Sequence, residues 1–62
     1  MNQRIKTILQ LLYQNRYQYM TAQEIAYATA LSDRTVRKYI GLINEDIAKY
    51  DAVIEAKRGH GF

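Results

Sequence analysis

Apolar side chains recur at helical spacing in three separated stretches of this 62-residue chain, with polar stretches between them. Ile5, Ile8, Leu9 and Leu12 form the first. They predict a helix from about Asn2 to Asn15, with Arg4, Lys6, Gln10 and Gln14 on its polar faces. Asn15-Arg16-Tyr17-Gln18 breaks the pattern, and Tyr19-Met20 reads as a very short strand before the next helix. Thr21-Ala22-Gln23-Glu24 opens that second helix as a capping box. The Thr21 hydroxyl can accept the N–H near Glu24 while the Glu24 carboxylate reaches back. Ile25 and Ala28 are expected to face inward. Ala26 is small, as a close helix crossing requires. The turn Thr29-Ala30-Leu31 then leads to Ser32, the N-cap of a third helix. There Val36, Ile40, Ile43 and Ile47 form one apolar stripe over about four turns. This helix is predicted to run to about Lys49, with its second half packed on the first.

Beyond it the period changes. Ala52-Val53-Ile54-Glu55-Ala56 is β-branched and alternates enough to predict a strand. Lys57-Arg58-Gly59-His60-Gly61 follows, with two glycines that can take positive φ and reverse the chain. Phe62 would begin a returning strand. A hairpin with one strand and no partner is incomplete, so the chain reads as the front part of a longer protein, cut at or inside a β-hairpin. The expected fold class is mainly α with a small β-hairpin, in one domain spanning residues 1–62.

Composition narrows the function classes. The chain is 48% hydrophobic, ordinary for a small folded domain, and has no cysteine for disulfides or thiolate metal sites. No apolar run approaches the roughly 18 residues of a membrane span. Met1-Asn2-Gln3-Arg4 is not followed by a signal-peptide core. The default compartment is therefore the cytoplasm. With one histidine and no phosphate-binding glycine loop after a strand, the chain offers no catalytic constellation and no cofactor site. Asp46, Asp51 and Glu55 with His60 follow no metal-site spacing, and read as solvated acids.

The net charge of +3 is modest, but its distribution is informative. Arg34, Arg37, Lys38, Lys57 and Arg58, five of the nine cations, fall in two short clusters, with Glu45, Asp46, Asp51 and Glu55 between them. At ~100° per residue, Arg34 and Lys38 point away from the apolar stripe of the third helix, and Arg37 and Thr35 flank them. Two short helices joined by a tight turn, the second basic at its N-terminal end, are what helix-turn-helix DNA recognition requires.

Two stretches of the chain resemble the motifs of a known family. Ser32-Asp33-Arg34-Thr35-Val36-Arg37-Lys38-Tyr39-Ile40 with Ile43-Asn44-Glu45 resembles the recognition helix of bacterial winged helix-turn-helix domains. Val53-Ile54-Glu55-Ala56-Lys57-Arg58-Gly59-His60-Gly61-Phe62 resembles the wing. The pattern is similar to the N-terminal domains of regulators of sugar metabolism that carry phosphotransferase-system regulation domains downstream. Mga-type virulence regulators and the DNA-binding domain of biotin ligase share it. The resemblance covers about Ile5 to Phe62 and implies three helices plus a truncated wing. Thr29 stands where the family has Leu, and Ala30 where Gly or Asn is common, so a left-handed backbone there would be strained. His60 replaces a frequent Lys. Tyr39 and Leu42 replace polar or acidic residues and, with Thr35 and Asp46, line a side stripe of the third helix that reads as a partly covered surface pair, or alternatively as a contact with another subunit or domain.

The resemblance implies a DNA-binding transcriptional regulator with the third helix in the major groove. Arg34 and Lys38 are the candidates for base readout, since Arg is the commonest partner of guanine O6 and N7. Arg37, Thr35, Ser32 and Thr21 are the candidates for phosphate contact, through charge, hydroxyls or helix N-terminal donors. Lys57, Arg58 and His60 would reach the DNA backbone or the adjacent minor groove. Asp33 would stabilise the helix N-terminus through its dipole or reject particular bases. The partners implied are double-stranded DNA and a second copy of the chain, joined through domains outside these residues. The rival reading is a winged-helix protein–protein interaction module without DNA specificity. Six tyrosines favour it, because tyrosine is enriched at interfaces; the basic third helix argues against it. An RNA-binding role lacks an aromatic sheet platform.

Overall fold

The computed structural model describes residues 2–62, and three α-helices carry the fold: α1 (Gln3–Gln14), α2 (Ala22–Thr29) and α3 (Asp33–Ile47). A 3-10 turn over Ala48–Tyr50 extends α3. Each α-helix begins on a side-chain cap. The Ile5 N–H donates to Asn2 Oδ1 at 2.8 Å. The Glu24 N–H donates to Thr21 Oγ1 at 3.0 Å, and Glu24 Oε1 accepts the Thr21 N–H at 2.9 Å, so the expected capping box is complete. The Thr35 N–H donates to Ser32 Oγ at 3.1 Å. Such caps satisfy donors that the first helical turn leaves without partners. At the other end of α1, the Asn15 amide donates to Leu11 O and the Arg16 guanidinium to Tyr13 O, both at 2.9 Å.

One core lies where the helices meet, built from Ile8, Ala22, Ile25, Ala26, Val36, Ile40 and Ile43. Ile5, Leu9, Leu12, Ile47, Ile54 and Phe62 pack around it. Ile8, Ile25 and Val36 are fully buried, one from each helix, so the apolar stripes converge as their spacing predicts. The inward position expected for Ala28 is not observed; it is exposed, and Ala22 is buried instead. Helical geometry explains this. Ala22, Ile25, Ala26 and Thr29 share an arc of roughly 100° that faces the core, and Ala28 falls outside it.

The α2–α3 turn is closed by Ala30 in the left-handed region, with φ 58° and ψ 34°. The N–H groups of Ala30 and Leu31 both donate to Ala26 O, the latter at 3.0 Å. Half-buried Leu31 packs against the core as the chain leaves the turn. A left-handed turn with an apolar residue just beyond is a common helix ending. Here the alanine Cβ adds a steric cost of roughly 1–2 kcal/mol.

The C-terminal region corrects the expected hairpin. No strand forms over Ala52–Ala56 among the described residues, and the hairpin is reduced to a turn closed by an isolated antiparallel bridge between Lys57 and Gly61. The His60 N–H donates to Lys57 O at 2.9 Å, and Gly59 has φ 83°, the sign a type II turn requires at its third residue. The segment leading to this turn has no strand beside it. The Asn44 side chain substitutes at one residue: Oδ1 accepts the Ile54 N–H at 2.7 Å and Nδ2 donates to Ile54 O at 3.4 Å. Phe62 does not return along Val53–Ala56. It pairs with Met20, so the short strand expected at Tyr19-Met20 is realised as one paired residue.

Candidate nucleic-acid interface

The α3 helix presents its cations by elementary helical geometry. Val36, Ile40 and Ile43 are buried, while Arg34, Arg37 and Lys38 are exposed. Arg34 and Lys38 stand roughly 150–170° around the helix from the buried stripe, and Arg37 about 90° from it. Thr35, on the other flank, is half-buried. The Ser32 hydroxyl is engaged within the cap, where Oγ accepts the Thr35 N–H and donates to Thr35 Oγ1 at 2.9 Å. Its donor is therefore spent, while the Thr35 hydroxyl hydrogen stays available. The same holds at Thr21, whose Oγ1 accepts from Glu24 and whose own hydroxyl hydrogen is unclaimed.

Folding brings the second basic cluster to Arg37 of the first. A shallow groove of about 450 Å³ runs between the N-terminal ends of α2 and α3 and the C-terminal loop. Thr21, Arg37, Lys57, Arg58 and His60 all line it, although they come from three distant parts of the chain. Gln23 and Asp33 line it as well. Ser32, Arg34, Thr35 and Lys38 do not: Arg34 and Lys38 stand on the outer face of α3, Ser32 in its cap and Thr35 on its half-buried flank.

None of these cations is neutralised. Among the described residues the only ion pair joins Lys49 to Asp46 at 3.4 Å, both exposed. Asp33 sits in the groove without pairing to Arg37 one helical turn away. The field over the groove is therefore net positive, with a single acidic point at the start of α3.

Two contributors were not singled out from sequence. Gln23 is exposed in the first turn of α2, and its place two residues after the cap Thr21 was the available signal. Tyr19 lies in the linker before α2, where no periodicity marks it. Its ring is 6.1 Å from that of His60, and Lys57 Nζ stands 5.8 Å from its centroid. Among the described residues no cluster of three or more His, Cys, Asp or Glu could hold a metal ion. None of the described helices is long and apolar enough to cross a membrane.

A family model described as an HTH domain, a kind of DNA-binding domain that is typically non-enzymatic, matches residues 4–62. No curated protein and no solved structure matches the chain. The match takes in α1 from its second residue, α2, α3, the tight α2–α3 turn and the loop that carries the second basic cluster. The chain belongs to the HTH domain family, helix-turn-helix DNA-binding domains found in bacterial transcriptional regulators.

Proposed function

We propose that the chain binds double-stranded DNA sequence-specifically, with the N-terminal turns of α3 in the major groove and the Lys57–His60 loop against the DNA backbone as a minimal wing. The observation that carries this reading is the convergence of Thr21, Arg37, Lys57, Arg58 and His60 on one groove, with no carboxylate paired to any of the cations. Buried or structural cations find partners. Cations left free on one face suit phosphate, which a folded chain cannot supply for itself.

Within this arrangement Arg34 and Lys38 read base edges from the outer face of α3. Arg37, Lys57 and Arg58 take phosphates by charge. Thr21 and Thr35 donate their free hydroxyl hydrogens, and His60 adds a ring N–H. Ser32 acts through the cap: it holds the start of α3 so that the unclaimed N–H groups of Asp33 and Arg34 point outward. Two copies reading two half-sites fit the usual arrangement of such domains, as part of a regulator of carbohydrate uptake or metabolism.

Titrating salt during binding to random-sequence duplex tests the reading. Three phosphate-directed cations predict a slope of log K against log salt of about −3. A slope near zero would leave a protein-interaction module as the better description.

A further inference from the structure

The loop that carries Lys57, Arg58 and His60 is docked on three successive residues of the α1–α2 linker. Met20 exchanges backbone hydrogen bonds with Phe62. Gly61 lies so close to the Met20 carbonyl and the Thr21 Cα that a Cβ there would collide with both. Tyr19 meets the side chains of the turn itself, with Lys57 Nζ 5.8 Å from its ring centroid and the His60 ring at 6.1 Å, tilted by 52°.

These contacts do different work. The Met20–Phe62 pair and the Lys57–Gly61 bridge hold the loop backbone, but they leave the Lys57 stem free to rotate. A flexible lysine ordered only on binding loses rotamer freedom at that moment and weakens the complex. A carboxylate could order it beforehand, at the cost of cancelling its charge. An aromatic face attracts the ammonium and leaves the full positive charge facing outward. Tyr19 is placed to do this for Lys57 and to brace the His60 imidazole with the same ring.

We propose that Tyr19 is a positioning residue of the nucleic-acid face, pre-ordering Lys57 and His60 beside Arg37 and Arg58 without neutralising them. This rests on the loop being a DNA contact, as argued above. The Tyr19 phenol itself touches no phosphate, and its ring is the functional part.

The test measures binding of the full chain to random-sequence duplex across a salt series. Tyr19→Leu keeps apolar bulk but removes the ring face; it should weaken binding about two- to fivefold, the scale of an exposed cation–π contact. Tyr19→Phe should bind like the parent. In a Lys57→Ala/His60→Ala background, which alone should flatten the salt slope by about 1, Tyr19→Leu should add nothing further. In the free chain, ring-current displacement of the Lys57 ε-proton resonances should survive Tyr19→Phe and vanish in Tyr19→Leu. A Tyr19→Leu penalty that persists without Lys57 and His60, or a Phe variant as weak as Leu, overturns the proposal. If Lys57→Ala/His60→Ala weakens binding and Tyr19→Leu does not, positioning by Tyr19 fails while the DNA reading of the loop stands. If Lys57→Ala/His60→Ala changes nothing, both fall together.

Discussion

Met20 and Phe62 face each other as a reciprocal backbone pair: the Met20 N–H donates to Phe62 O at 2.6 Å, and the Phe62 N–H donates to Met20 O at 2.7 Å. Forty-one residues of chain lie between them, and the pair closes that loop against the start of α2. It brings the Lys57–His60 turn to Thr21, which is why Arg37 shares one groove with Lys57 and Arg58 although they lie far apart in sequence.

The pair depends on Gly61. With φ 97° and the Met20 carbonyl against its Cα, this position excludes a side chain on both conformational and steric grounds. Gly59 has φ 83° but open space around it. Gly59→Ala should therefore cost only the left-handed penalty of about 1–2 kcal/mol. Gly61→Ala should cost more and should raise amide exchange at Met20 and Phe62. Equal thermal destabilisation by the two substitutions would show that the close approach is not a real constraint.

Ala30 holds the helix-turn-helix turn at φ 58°, where glycine has no Cβ penalty. Ala30→Gly should stabilise the chain by up to about 1 kcal/mol, or several degrees in Tm for a domain this small. A lowered Tm would mean that unfolded-state entropy outweighs the relieved strain.

Ala26 and Ala28 form a matched contrast on α2, one buried and one exposed. Ala26→Leu should overpack the helix crossing, destabilising by about 1–3 kcal/mol and displacing α3. Ala28→Leu should stay within about 0.5 kcal/mol of the parent. Chemical denaturation of the two variants measures the difference directly, and similar midpoints would remove Ala26 from the crossing.

At the proposed DNA contact, Arg34→Ala should lose about 1–3 kcal/mol against a selected site and relax preference at one base pair. Arg37→Ala should weaken selected and random duplex alike, with a shallower salt dependence. Competition binding with both DNAs separates the two roles. Equal losses on both for Arg34→Ala would reassign it to phosphate.

A single copy offers one small reading head, so it should bind weakly and with strong salt dependence. A covalent tandem of two copies, with a linker able to span adjacent half-sites, should bind far more tightly through effective concentration. Nanomolar binding of one site by the monomeric chain at physiological salt would contradict this expectation.

Much of the architecture was legible from local pattern. The stripes Ile5–Leu12 and Val36–Ile47, the Thr21–Glu24 capping box and the Ser32 cap depend on neighbours within one or two turns. Helical periodicity and capping are such short-range effects, so α1, α2 and the start of α3 follow directly. The same periodicity placed Arg34 and Lys38 on the outer face of α3. The inward expectation for Ala28 fails because a small apolar residue reads alike on either side of a short helix; only the direction of the packed neighbours decides which side is inward.

What local pattern could not decide is everything beyond Ile47 that needs a distant partner. The β-branched run Ala52–Ala56 has strand propensity, but a strand exists only when another supplies its ladder. In the folded chain Asn44 takes up Ile54, and Met20 takes up Phe62. The positive φ of Gly59 and Gly61 was foreseeable from residue type, whereas the reason Gly61 tolerates nothing larger lies in the Met20 carbonyl. Tyr19 carries no periodic signal, and its part emerges only when the turn is folded back onto the linker. The sequence by itself determined the helices, their caps and the cations they display, because these are set by neighbours along the chain. Tertiary structure alone decided that Thr21, Arg37 and the Lys57–His60 turn line one groove, because contacts across the chain set that geometry.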